Sequence, residues 1–502
     1  MIENAAGIAD LVRRRAQQSP DQAALIAGAT RFSWAELDAG ATRAALALLA
    51  TGAQPGDRVT LCLPTGPDFV LVYLGALRAG LVVVPVHPAH TPIEIEHIRT
   101  DSGAALHLDV ASAAALLASP PDGVDPGRDR EGEAISLLLY TSGASARPKA
   151  AMLSARALLA NLDQLAAVRP ALLTAADVLL VPLPLTQVFG LNAGLGMALR
   201  VGATTVLVER FDAGETLRLM RAEQVSAVIG VPAQFAQWLA HPDVGVGFAS
   251  VRLALSGSAP LPRPVAAGFA RHGLILHDGY GLTETAPVVA LTALTGGAGG
   301  PKPGSIGGPL PGVEVELRDA DGDRLDSDDD PGRVFVRGPN LFSGYWPDGS
   351  GGPDEDGWFG TGDVAVRDDD GELYLVGRTS ELVIVNGFNV YPAEVEAVLA
   401  AAPGVAEVAV VGVRDAQTGE AVRAYVVAAA DARPDPAAVL AAAARSLARF
   451  KLPATIEYVS SLPRTVTGKV MKWRLSADAL PEPATGPQPP SAGTGAPADG
   501  SA

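Results

Sequence analysis

Short apolar runs alternate with longer stretches in which Ala and Leu recur at helical spacing through the first three hundred residues. The runs at 58–63, 204–208 and 225–229 read as strands, and those at 34–49, 157–167 and 214–224 read as helices. Strands separated by helices of this length predict a largely parallel α/β sheet. The stretch 69–88 is apolar enough to raise the question of a membrane span. Arg78 and Gly80 divide it and Pro85 follows, so neither half reaches the roughly 20 residues a span needs. The pattern instead predicts a buried helix over 69–79 leading into a buried strand over 81–86. Residues 119–132 read as a polar loop. From about Ser305 the pattern changes to closely spaced strands with Gly and Asp turns, which predicts a small β subdomain. Residues 481–502 are rich in Pro, Gly, Ala and Ser and read as a disordered tail.

A chain of 502 residues exceeds one typical domain. Its hydrophobic content of 48% and charged content of 19% suit a soluble globular protein. The single cysteine, Cys62, excludes an internal disulfide and any multi-cysteine metal site, and fits a reducing compartment. Residues 1–15 carry Glu3 and Asp10 and no apolar signal core, so a cytoplasmic protein is expected. The net charge of −17 argues against nucleic acid as a partner. Asp319, Asp321 and Asp323 alternate as in a calcium loop, but Arg324 stands where the bend needs glycine and Asp330 where a bidentate glutamate belongs. A solvated hairpin turn is the better reading. His87, His90 and His97 lack the spacing and thiol partners of a zinc site.

Chemistry first shows in the run Leu138-Leu139-Tyr140-Thr141-Ser142-Gly143-Ala144-Ser145-Ala146-Arg147-Pro148-Lys149. A strand over 135–140 ends in three hydroxyls among small residues, then a lysine. Small residues let backbone N–H groups approach an anion, hydroxyls donate further bonds and the lysine adds a charge, which together describe a phosphate cradle. The alternative is a plain small-residue turn between a strand and a helix. It is not the ordinary P-loop, whose G-x-x-x-x-G-K-[ST] spacing is absent. Four further segments follow in order: Gly279-Tyr280-Gly281-Leu282-Thr283-Glu284-Thr285, Gly357-Trp358-Phe359-Gly360-Thr361-Gly362-Asp363, Gly377-Arg378-Thr379-Ser380-Glu381 and Pro463-Arg464-Thr465-Val466-Thr467-Gly468-Lys469.

In this order and spacing the set resembles the adenylate-forming (ANL) superfamily of acyl-CoA synthetases, adenylation domains and luciferases, from about Ala9 to about Leu475. The resemblance implies an α/β fold. Its large N-terminal adenylation domain, residues 1–379, would hold mostly parallel α/β subdomains and a small β subdomain. A small α+β C-terminal lid would follow over 380–478, and then a tail over 479–502. It implies ATP-dependent activation of a carboxylic acid to an acyl adenylate, with Mg²⁺, and transfer to the thiol of coenzyme A. Thr141, Ser142, Gly143, Ser145 and Lys149 would hold the β- and γ-phosphates. Thr283 would reach the α-phosphate, and Glu284 would bind Mg²⁺. Gly257, Ser258 and Ala259 would pass under the adenine, with Asp278 and Gly279 at its edge and Tyr280 and Gly281 beside them, Tyr280 stacking on the ring. Asp363 would take the ribose hydroxyls, with Arg378 nearby. Lys469 would lie between substrate carboxylate and α-phosphate, on a lid swinging about Ser380. In its other pose Gly387, Phe388 and Asn389 would line the thiol's route.

The chain departs from that pattern in places. Ala144-Ser145-Ala146 replaces a common Thr-Thr-Gly, Ala150 replaces the glycine after the lysine, and Ala155 replaces a common histidine. These changes bear on rate more than on reaction, since Lys149, Glu284, Asp363 and Lys469 remain. Gln187 stands where amino-acid-activating relatives place an aspartate, which favours a plain acid. Val188, Phe189, Val231, Phe235 and Leu282 suggest apolar pocket walls suited to a fatty or aryl acid. Alternatives are an acyl-AMP ligase loading a carrier protein, a non-catalytic binding paralogue and luciferase-type oxidation. The N-terminal insertion common in fatty-acyl-AMP ligases is absent, which tilts toward coenzyme A.

Overall fold

The computed structural model describes residues 5–118, 120–127, 129–141, 148–292, 300–325, 330–385, 388–415, 418–430, 432, 434–464 and 470–475. The chain divides into two compact units, residues 1–380 and 381–502. The first holds three sheets. The largest runs in the order Gly308–Pro309, Val288–Leu291, Leu276–Gly281, Leu253–Ser256, Ala227–Gly230, Val178–Val181, Thr204–Leu207, Ala23–Ala27, Thr30–Ser33. Its six central strands are parallel, and the strands outside them are antiparallel. The second sheet orders Leu106–Leu108, Arg58–Leu61, Val82–Pro85, Ile135–Thr141 and Lys149–Ser154, all parallel except the last. The third is the antiparallel β subdomain: Glu314–Arg318, Gly332–Arg337, Trp358–Arg367 and Leu373–Arg378.

Alternation along the central strands sorts their side chains between two cores. Leu179, Val181, Ala227, Ile229 and Leu253 enter the larger one, while Leu180, Val228, Ala254 and Leu276 face the other. The apolar stretch at 69–88 holds the buried helix Pro67–Arg78 and the buried strand Val82–Pro85. Among the described residues no helix is long and apolar enough to cross a membrane.

The segment read as a polar loop is not simply solvated. Asp125 and Asp129 each lie 2.7 Å from the Arg13 guanidinium, and the fully buried Arg78 reaches Asp38 at 2.7 Å and Asp125 at 3.5 Å. Near Asp319 the turn caps itself, the carboxylate accepting from the N–H of Asp321 and Asp323.

The second unit is a five-stranded sheet. Phe388–Val390, Val383–Val385, Gly419–Ala428 and Val405–Asp415 run in that order, and Thr455–Tyr458 pairs in parallel with Gly419–Ala428. The helices Pro392–Ala400 and Pro436–Ala443 contribute Val395, Leu399, Val439 and Ala443 to its core.

Candidate active site

The carboxyl ends of parallel strands are where an open α/β sheet binds ligands. Here Leu253–Ser256 leads into Gly257-Ser258-Ala259, and Leu276–Gly281 leads into the turn Thr283–Thr285. Ser258 sits at φ 70°, a conformation uncommon for a residue with a Cβ. Gly281 is required by contact: a Cβ there would lie 1.9 Å from the carbonyl oxygen of Pro287. That carbonyl accepts from the N–H of Leu282 at 3.0 Å and from the Thr285 hydroxyl.

Buried amides fix the rest of the turn. Asn340 donates to the carbonyl of Thr285, and Asn192 to that of Ala286, both at 2.7 Å. Asn161 donates to the carbonyl of Val288 at 2.8 Å and accepts from its N–H at 3.1 Å. Gln164 donates to the Asn340 side chain at 3.2 Å. Satisfied buried amides of this kind rigidify what they hold. None belongs to a recognisable motif, and the sequence reading missed all four. A polar residue on an otherwise apolar helix face, as at Asn161 and Gln164, was the available signal.

Held on that turn, Glu284 is buried, and its Oε1 accepts from the Tyr345 hydroxyl at 2.6 Å. The Lys149 Nζ lies 5.1 Å from the centroid of the same ring. Tyr345 therefore links the expected phosphate lysine to the expected metal carboxylate, and it too was missed. The signal was an aromatic pair after glycine, Gly344-Tyr345-Trp346. Lys149 opens the strand Lys149–Ser154, which pairs antiparallel with Ile135–Thr141 and sets Lys149 opposite Thr141, so the element that begins at Lys149 is a strand rather than a helix. Ser142, Gly143 and Ser145 lie outside the described residues.

A second cluster gathers residues expected at the nucleoside. Asp363 is 4% exposed. Its Oδ1 lies 2.8 Å from Nε of Arg378, and its Oδ2 accepts from the Tyr280 hydroxyl at 2.7 Å. Tyr280 thus positions, through its hydroxyl, the carboxylate expected at the ribose. Asp278 accepts from the N–H of Leu261 and Gly279, and burial pushes its carboxyl up to about 7.

On the acyl side, Phe189 begins a π-helical stretch, Phe189–Gly196. A Cβ on Gly257 would sit 3.0 Å from Cζ of Phe189, so the ring lies against the segment expected under the adenine. Phe189, Val231 and Leu282 are partly buried at the margin of the larger core, and Val188 is buried within it. Gln187 is half-buried beside them in sequence. Phe235 is a correction. It is fully buried in the other core, edge-on to Trp238 and Phe269 at 5.2 and 5.6 Å. It follows Val231 on the helix Pro232–Ala240, which turns its ring to the opposite face of the sheet. It is a core residue, not a pocket wall.

In the second unit, Phe388 is exposed and stacks on Phe450 at 4.6 Å. Lys472 pairs with Glu381 at 2.7 Å and Glu396 at 2.9 Å. Lys469 and Gly387 lie outside the described residues, and Ser380 and Asn389 are described in their backbone alone. Among the described residues no three His, Cys, Asp or Glu side chains group to hold a metal by themselves. Glu284, a single hard carboxylate linked to Lys149 only through Tyr345, fits Mg²⁺ carried in on a polyphosphate and ligated largely by phosphate and water.

A family model described as AMP-binding enzyme matches residues 12–346, and one described as AMP-binding enzyme C-terminal domain matches residues 394–469. A feruloyl-CoA synthase from an Amycolatopsis species is 35% identical over 92% of this chain and 97% of its own length. A long-chain-fatty-acid–CoA ligase from Bacillus subtilis strain 168 is 30% identical over 85% of this chain and 86% of its own length. Among solved structures, ATP-bound MatB from Rhodopseudomonas palustris superposes with TM-score 0.86 at 33% identity, covering 93% of this chain and 98% of that one. MenE from Bacillus subtilis, an o-succinylbenzoate-CoA synthetase in complex with its acyl-adenylate intermediate, gives TM-score 0.84 at 27% identity, covering 93% and 97%.

Proposed function

The chain belongs to the AMP-binding enzyme family, and on that premise we propose that it is an acid–thiol ligase converting an apolar, aryl-bearing carboxylic acid to its acyl adenylate and then to acyl-CoA. The observation that supports this chemistry is Tyr345 touching both Glu284, the carboxylate proposed for Mg²⁺, and Lys149, the cation proposed for the phosphates. In the first half-reaction a substrate carboxylate oxygen attacks the α-phosphorus of ATP and pyrophosphate leaves. Two anions must meet, so charge neutralisation and alignment dominate the barrier. Lys149 and Thr141 would hold the leaving phosphates, Thr283 the α-phosphate and Asp363 the ribose. Glu284 would hold Mg²⁺, which supplies charge neutralisation across the phosphates. In the second half-reaction the coenzyme A thiol attacks the acyl carbonyl and AMP leaves.

The aryl preference rests on the aromatic wall Phe189, on Val188, Val231 and Leu282 beside it, and on the likeness to the feruloyl-CoA synthase. Gln187, which carries no charge, offers no counter-ion to a substrate amine. Acid-dependent exchange of pyrophosphate into ATP across hydroxycinnamic, benzoic, C8–C16 fatty and amino acids tests the reading. The largest kcat/KM is expected for a hydroxycinnamic acid, with thioester formed on added coenzyme A. Thioester formed only on a carrier protein would reassign the acceptor. Exchange with amino acids alone would overturn the substrate class.

A further inference from the structure

Tyr345 has no role in the family resemblance described above, yet its backbone and side chain join the two segments that would handle the triphosphate. The segment around it runs beside the strand Lys149–Ser154. Met152 N–H donates to the carbonyl of Gly344 at 3.0 Å, Ser343 N–H to that of Met152 at 2.9 Å and Trp346 N–H to that of Ala150 at 2.9 Å. Ala151 and Tyr345 face each other in an antiparallel bridge. One residue earlier than this run, Phe342 N–H donates to the carbonyl of Glu284 at 2.9 Å. Residues 342–346 therefore splint the Glu284 turn to the strand that carries Lys149.

The side chain repeats the link. Its hydroxyl donates to Oε1 of Glu284 at 2.6 Å, which leaves Oε2 without a hydrogen-bond partner among the described residues. Its ring face lies under the Lys149 ammonium, 5.1 Å from the centroid, within the range of a cation–π contact. The Phe342 ring packs edge-on at 5.1 Å and holds the phenol in place.

We infer that Tyr345 is a positioning residue for magnesium–triphosphate, fixing Glu284 through its hydroxyl and Lys149 through its ring. A phenol donating to one carboxylate oxygen fixes the rotamer and leaves the other oxygen for the metal, the logic by which outer partners orient a metal ligand. The ring holds the lysine near that carboxylate without an ion pair, so both charges stay available to phosphate and metal. The inference rests on the proposed roles of Glu284 and Lys149, and its test separates the two.

The full-length chain is compared with Tyr345→Phe, Tyr345→Leu and Glu284→Gln by calorimetric titration of ATP, once in EDTA and once across a Mg²⁺ series. Tyr345→Phe keeps the ring and loses the hydroxyl. Its ATP affinity in EDTA should match the wild type, while the Mg²⁺ concentration giving half of the metal-dependent gain should rise about tenfold or more, the scale of one hydrogen bond to a charged group. Glu284→Gln should abolish that gain. Tyr345→Leu should in addition weaken ATP binding in EDTA about threefold, by loss of the cation–π face. A merely structural tyrosine would weaken both titrations alike and lower the melting temperature. Tyr345→Phe with an unmoved Mg²⁺ midpoint, beside a Glu284→Gln that loses the gain, overturns the inference alone. A Glu284→Gln that keeps the gain overturns the metal assignment and the inference with it.

Discussion

Asp278 shows how a single buried group makes a testable statement about pH. Enclosure pushes its carboxyl up to about 7, and the N–H groups of Leu261 and Gly279 that favour the anion do not offset that. An exposed aspartate titrates near about 3.9. In the folded chain the proton is therefore held to about pH 7, whereas the unfolded chain releases it from about pH 4 upward. The stability this gives is fully present below about pH 4 and is lost as pH rises through 7. Asp278→Asn has no proton to lose. Its melting temperature relative to wild type should rise between pH 5 and pH 8.5, and a flat difference would show that the group is less enclosed than it looks. At this scale the motif residues were legible because each carries chemistry in a recognisable neighbourhood. Asn161, Asn192, Asn340 and Tyr345 were not, because what makes them matter is a partner more than sixty residues away, or in Asn340's case a carbonyl fifty-five residues away.

Between elements, the helices Trp34–Ala50 and Pro67–Arg78 meet at their smallest residues. A Cβ on Gly75 would lie 2.6 Å from Cβ of Ala44 and 2.8 Å from the backbone nitrogen of Ala45. Backbone cannot yield as a side chain can, so Gly75→Ala should destabilise the first unit by about 2–3 kcal/mol, the cost of overpacking a tight core. The same helix ends in Arg78, which is 0% exposed and paired with Asp38 and Asp125. Arg78→Met leaves both carboxylates behind and should cost about 3 kcal/mol, as breaking a buried pair does. Urea midpoints of the first unit check both values. Helix periodicity was easily read in these segments, because their apolar faces are continuous. The strand Lys149–Ser154 was not, since Lys-Ala-Ala-Met-Leu-Ser has little intrinsic strand preference. Its place is set by partners on both sides, Ile135–Thr141 and the distant residues 343–346. Residues 119–132 read as a polar loop for the same reason: Arg13 and Arg78, the partners of Asp125 and Asp129, are far away in sequence.

For the molecule as a whole, the two half-reactions make opposite demands on charge. In the first, a carboxylate approaches a phosphate and both are anionic. In the second, a thiol approaches an activated carbonyl, and no such repulsion arises. A cation needed for one is dispensable for the other. Lys469 is proposed as that cation, in a unit of the chain distinct from the one holding Glu284 and Asp363. Lys469→Ala should lower pyrophosphate exchange about 10²–10³-fold, the scale of a lost transition-state donor, while thioester formation from a supplied acyl adenylate stays near wild type. Ser380 closes the first unit, and proline there would fix φ near about −65° and restrict Thr379 before it. If Ser380 is the hinge, Ser380→Pro should hold the chain in one arrangement and slow one half-reaction at least about tenfold more than the other, as gating residues do. Rapid-quench assays of each half-reaction read both variants. Equal losses in the two steps for Lys469→Ala would make that lysine structural, and equal losses for Ser380→Pro would place the hinge elsewhere.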